Sequence, residues 1–121
     1  MLALICPSSS ATSLFVVANN SQRCISVWSA TTAGHLHITD VKVEGHPRGI
    51  GVDLNGYVYV SCWYSVHIFD PRNNYQLLQT LGGQKHGSAR GEFNEARGMA
   101  VDDTNIVMIV DCCNHRVQFF D

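Results

Sequence analysis

One passage of this chain is written twice. Pro47-Arg48-Gly49-Ile50-Gly51-Val52-Asp53 leads into Tyr57-Val58-Tyr59-Val60-Ser61 and then Val66-His67-Ile68-Phe69-Asp70. Ala96-Arg97-Gly98-Met99-Ala100-Val101-Asp102 leads into Ile106-Val107-Met108-Ile109-Val110-Asp111 and then Val117-Gln118-Phe119-Phe120-Asp121. Arg48 and Arg97 stand 49 residues apart, and Asp70 and Asp121 stand 51 apart. A period of this size marks a repeat architecture, in which each copy is one supersecondary unit covered by its neighbours. Each copy is a series of short apolar runs separated by polar corners, so the unit is a strand meander.

The rest of the chain follows the same grammar. Leu2-Ala3-Leu4-Ile5 is a short apolar run, and Ser8 to Ser13 reads as a polar turn. Leu14 to Ala18 is continuously apolar, as expected of a strand covered on both faces. Asn19 to Arg23 is a corner, Ile25 to Trp28 a third strand, and His35 to Val43 alternates polar and apolar like a half-exposed outer strand. Asn55-Gly56 tolerates the positive φ angles of a tight hairpin turn, and Pro71-Arg72-Asn73-Asn74 supplies another turn before an outer strand at Tyr75 to Leu81. Gly82 to Ala96 is a long glycine-rich, charged loop whose lone large apolar residue, Phe93, is expected to plug the space between neighbouring units. No stretch sustains a 3.6-residue period, so no helix is expected. Eleven strands result, and the fold class is all-β.

A membrane helix needs about 18 apolar residues in a row, and no run approaches that. Pro7-Ser8-Ser9-Ser10 cuts off the short apolar start, which has no basic residues before it, so no secretory leader is expected. The formal charge of −2 excludes a globally basic nucleic-acid binder. Five cysteines, Cys6, Cys24, Cys62, Cys112 and Cys113, contain no Cys-x-x-Cys, so reduced thiols in a cytoplasmic setting are expected, with no metal and no cofactor. The pair Cys112-Cys113 is read as two thiols at a strand end. Neither a nucleophile elbow nor a phosphate loop opening a helix occurs, so catalytic residues are expected to be none. His35 and His37 share a face of an outer strand and are expected to be solvated. Asp53 and Asp102 end equivalent strands and are expected to cap the turns that follow.

The string Arg97-Gly98-Met99-Ala100-Val101-Asp102 through Asn114-His115-Arg116 to Asp121, preceded by Gly91-Glu92-Phe93-Asn94, resembles the NHL repeat. The copy at Arg48 to Asp70 keeps the start and the Phe-Asp end but has Trp63-Tyr64-Ser65 in place of the Asn-His-Arg corner. The resemblance implies a β-propeller of four-stranded blades, with rings of about six. On that footing residues 1–121 form one propeller segment of two and three-quarter blades. Blade 1 spans about 2–43 and blade 2 about 48–81. Blade 3 spans about 97–121 with its outer strand missing. The segment is therefore expected to be a fragment of a longer ring, its edges covered by further blades of the same chain or of another.

In such a meander alternate loops emerge on opposite faces. One face, here the upper face, receives Arg23, Arg48, Lys85, Arg90, Arg97 and Arg116 against Glu44, Glu92, Glu95 and Asp111, a balance of about +2. The lower face receives Asp53, Asp70, Asp102, Asp103 and Asp121 against Arg72, about −4. The upper face also collects His46, His86, Asn19, Asn20 and Gln22. Its candidate partner-binding residues are Arg48, Trp63, Tyr64, Arg97, Asn114, His115 and Arg116. Aromatic rings to stack, arginines and amides suit both single-stranded RNA and protein hot spots. A net charge of only about +2 favours a protein partner, with single-stranded RNA as the alternative. Arg48, Arg97 and Arg116 recur at repeat positions, so a corner-tying role through backbone carbonyls stands beside the recognition role.

The resemblance extends to tripartite-motif-like ubiquitin ligases, in which such a propeller selects the target. It extends also to metal-dependent amidating lyases, which need inward-facing histidines where this chain has Asp53 and Asp102, and a purely structural or sensor propeller is a third class. The expectation taken forward is a non-enzymatic recognition module.

Overall fold

The computed structural model describes residues 2–7 and 13–121, with side chains from residue 14 onward. The polar turn expected at Ser8 to Ser13 lies, up to residue 12, outside the described residues. Among the described residues, eleven strands form three antiparallel sheets. The first holds β1 (Leu2–Pro7), β2 (Ser13–Asn19), β3 (Cys24–Thr31) and β4 (Gly34–Lys42) in that order. The second holds β5 (Gly49–Val52), β6 (Val58–Ser61), β7 (Ser65–Asp70) and β8 (Gln76–Gly82). The third holds β9 (Ala96–Val101), β10 (Val107–Asp111) and β11 (Arg116–Phe120). The sheets contact one another chiefly through their first strands, β1 with β5 and β5 with β9. That is the arrangement of a partial β-propeller.

Strand alternation divides the interior into two cores. Val58 and Val60 of β6 and Phe69 of β7 face the first sheet, where Val16, Ile25, Val27 and Val43 meet them. The intervening Tyr59, with Val66 and Ile68, faces the third sheet and packs with Ala96, Val107 and Ile109. The middle sheet is thus covered on both sides, and β6 and β7 are buried along nearly their whole length, the polar Ser65 and His67 included. Phe93 is fully buried in the second core, its ring centroid 6.2 Å from that of Phe120, as expected of a plug.

Two turns carry conformations that the strand pattern does not spell out. Pro71–Asn73 and Cys112–Asn114 are single 3-10 turns, each ended by a residue in the left-handed region, Asn74 and His115. Tyr75 is also left-handed, so the outer strand begins at Gln76, one residue later than expected, and pairs with β7 from Asp70 to Ser65. β9 starts two residues earlier than the apolar run suggests, because Ala96 pairs with Asp111 across a register shift.

The packing of first strands is close enough to need glycine. A Cβ on Gly49 would lie 2.1 Å from the backbone oxygen of Arg97 in the neighbouring sheet. The Ser61 hydroxyl donates a hydrogen bond to that same carbonyl, pinning the two sheets together.

Candidate functional site

The upper face forms where the second sheet's corner meets the third sheet. Cys62-Trp63-Tyr64 turns β6 back into β7, and the Cys62 N–H closes the corner on the Ser65 carbonyl at 2.8 Å. The Ala96 N–H donates to the Trp63 carbonyl at 2.9 Å, hooking the corner to β9. Gly83 N–H donates to the Tyr64 carbonyl at 3.2 Å; a Cβ on Gly82 (φ +81°) would sit 2.3 Å from that oxygen. Backbone bonds thus fix the two aromatic residues from both sides.

Arg48 reaches over the Trp63 ring, its guanidinium carbon 4.5 Å from the ring centroid. Tyr64 meets Trp63 edge-on at 6.4 Å and His86 at 6.0 Å. Arg97 pairs with Glu95 at 3.0 Å, and each shifts the other further toward its charged form. Trp63 walls two recesses. One is a narrow cleft with Arg48, Glu95, Ala96 and Arg97. The other is an open cavity of about 490 Å³ with Glu44, His46, Tyr64, His67 and Thr80 among its walls.

His67 forms the cavity's buried base. Its Nε2 lies 3.1 Å from the Glu44 carbonyl and 3.2 Å from the Ser65 hydroxyl, and its Nδ1 lies 3.0 Å from the Thr80 hydroxyl. A carbonyl only accepts, so the Nε2–H tautomer satisfies Glu44 and leaves Nδ1 to accept from Thr80. Burial holds the His67 pKa below its ordinary value, partly offset by the Glu44 carbonyl.

The third sheet's corner is built around Asp111, which is fully buried. Its carboxylate accepts from the Asn94 N–H at 2.8 Å, Asn114 Nδ2 at 3.0 Å and Arg116 Nε at 2.8 Å. Burial by itself would raise the Asp111 pKa; the bonds from Asn114, Asn94 and Arg116 reverse that and hold it below the usual carboxylate value. Arg116 also donates to the carbonyls of Ser88, Ala89 and Glu92, and Asn114 to that of Gly87. Of the seven candidate residues, Arg48, Trp63, Tyr64 and Arg97 therefore cluster on the surface. Asn114 and Arg116 are engaged with the loop before β9, the corner-tying role, and His115 is exposed beside them.

On the lower face Asp53 and Asp102 cap their turns, as expected. Asp53 accepts from the N–H groups of Asn55 and Tyr57, Asp102 from those of Thr104 and Ile106. The first-strand ends of the amidating-lyase comparison thus hold carboxylates engaged with backbone. His35 and His37 are exposed on the outer strand, as expected, and His37 also bonds Asp40 at 2.8 Å and meets Trp28 edge-on at 5.0 Å.

Sequence reasoning did not reach Glu44, His67 and Thr80 as cavity walls, because they come from three segments with no shared spacing. Nor did it join Glu95 to Cys112 and Cys113, whose ligand atoms all lie within 4.8 Å of one another.

Residues 93–120 match the family model of the NHL repeat. The chain contains an NHL repeat. The matched span opens on Phe93 and closes on Phe120, the two rings that touch in the second core. No curated protein matches the chain. NHL repeats are generally propeller modules that bind protein or RNA and are typically non-enzymatic. Among the described residues no helix is long and apolar enough to cross a membrane.

Proposed function

We propose that this NHL-repeat chain is a non-enzymatic recognition segment that binds a protein partner through the upper face. The observation that carries the reading is the Trp63 corner. An aromatic residue whose backbone is held by hydrogen bonds has its ring under Arg48 and on the wall of a cavity. Rigid aromatic and arginine side chains beside a concavity are the composition of protein hot spots. Arg48, Trp63, Tyr64, Arg97 and His115 make the contacts in this proposal, while Asn114 and Arg116 hold the loop that presents them. The segment serves inside a larger assembly of about six blades, as the target-selecting part of a ubiquitin-ligase-type protein. Its setting is the reducing cytoplasm, in keeping with the free thiols of Cys24, Cys62, Cys112 and Cys113.

Single-stranded RNA is the competing ligand, and Arg97 weighs against it. Its charge is already matched by Glu95, leaving less cationic surface for phosphates. A photo-crosslinking side chain at Gln84, on the cavity wall, tests the choice. A defined protein adduct that W63A reduces, and that L54A on the lower face leaves unchanged, supports the reading. Trp63 as an anchor is worth about 2 kcal/mol, roughly a 30-fold loss of affinity in W63A. Salt-sensitive binding of random single-stranded RNA, lost in R48A/R97A and without a protein adduct, overturns it.

A further inference from the structure

Glu95 lies at the left-handed position (φ 63°) just before β9, and the backbone brings the β10–β11 turn directly onto it. Cys112 N–H donates to the Glu95 carbonyl at 3.1 Å, and Cys113 N–H to the Asn94 carbonyl at 2.9 Å. The consecutive bonds zip the two segments together and leave both thiols exposed beside the Glu95 carboxylate. The two sulfurs and a carboxylate oxygen all lie within 4.8 Å of one another.

We propose that Glu95, Cys112 and Cys113 form a binding site for a thiophilic divalent cation of the zinc type. Two thiolates and one carboxylate supply three ligands, and the fourth position stays open to solvent. Zinc bonds of about 2.3 Å to sulfur and 2.0–2.2 Å to oxygen place tetrahedral ligand atoms roughly 3.6–3.8 Å apart. The cluster reaches that spacing by a contraction of about 1 Å, within the reach of side-chain rotation at two surface cysteines. Binding of the cation releases the thiol protons. Two thiolates, a carboxylate and a dication sum to one negative charge. The Arg97 guanidinium, 3.0 Å from Glu95, lies beside it to offset that charge. A pair of thiols alone would equally suit a disulfide; the convergent carboxylate is what selects a cation, because it contributes nothing to sulfur–sulfur bonding.

The test uses the full reduced chain, stripped with a chelator and titrated anaerobically with Co²⁺. The expected result is one Co²⁺ per chain, with a near-ultraviolet thiolate-to-cobalt band and the visible bands of a tetrahedral site, all bleached by Zn²⁺. C112S and C113S should each weaken or remove the thiolate band, and E95Q should shift the titration to higher Co²⁺ with the fold unchanged by circular dichroism. Alkylating the exposed thiols of the unmutated chain should abolish binding without any substitution. The proposal is overturned if the reduced chain gives no thiolate band, or if the band survives in the C112S/C113S double variant.

Discussion

At the scale of single residues, Asp111 decides the most. A fully buried carboxylate with Arg116 and Asn114 as partners holds the loop before β9 onto the third sheet. Asp111→Ala leaves these donors without their acceptor. We expect a loss of about 2–4 kcal/mol in denaturant unfolding, moderated because Arg116 is partly exposed. Its depressed pKa means that the associated stability is present above the ordinary carboxylate value, near pH 4, and lost as pH falls through the lower folded value. His67 acts at milder pH. Its folded pKa is below that of the unfolded chain, so its neutral form stabilises the fold fully above about pH 6.5, and that contribution is lost as pH falls toward the folded value. Unfolding measured from pH 7.5 to 5 should show this loss, and His67→Gln should flatten it. The arginines show where sequence reading stops. Arg48 and Arg116 occupy repeat positions, yet one stacks on Trp63 and the other bonds three loop carbonyls. Their partners are a ring and backbone groups, neither of which imposes a spacing on the sequence.

At the scale of elements, the strands were legible because alternation and turn residues are local signals. Leu14 to Ala18 reads as covered on both faces, yet only Val16 is buried there and Phe15 and Val17 line an open depression, whereas Val58-Tyr59-Val60 and Val66-His67-Ile68-Phe69 are buried on both faces. The strand limits drifted where a conformation depends on a distant partner. Ala96 is a strand residue because it pairs with Asp111, and Tyr75 is excluded from β8 by its left-handed backbone. Gly49 is a further case, since the constraint on it comes from the Arg97 carbonyl one sheet away. Gly49→Ala meets a backbone oxygen that no side-chain rotation can move. The expected cost is about 1–3 kcal/mol, read as a lower denaturation midpoint, with the contact between β5 and β9 loosened first in hydrogen exchange. Gly98→Ala, where an added Cβ has open space, is the matched control and should cost far less.

At the scale of the whole molecule, two of the three sheets keep an uncovered face. On the third sheet Val110, Val117 and Phe119 are 41, 46 and 56 % exposed. Cross-strand pairing sets Val110 against Val117 and Met108 against Phe119, one contiguous apolar surface. On the first sheet Phe15, Val17 and Trp28 line a shallow depression facing away from the second. Apolar faces of this kind mark interaction surfaces, and a propeller covers them with further blades. From the repeat and its family resemblance, outer faces in need of cover were legible as an expectation. The pairing that gathers the exposed side chains on one face was not, because it depends on the register of β10 and β11. The central claim is that the chain is an open array of blades whose outer sheets need covering. Size-exclusion chromatography with multi-angle light scattering on the isolated chain tests it most directly. The account predicts concentration-dependent self-association that Phe119→Glu with Val117→Lys reduces. A compact monomer of the chain's own mass, melting cooperatively at every concentration, would contradict it.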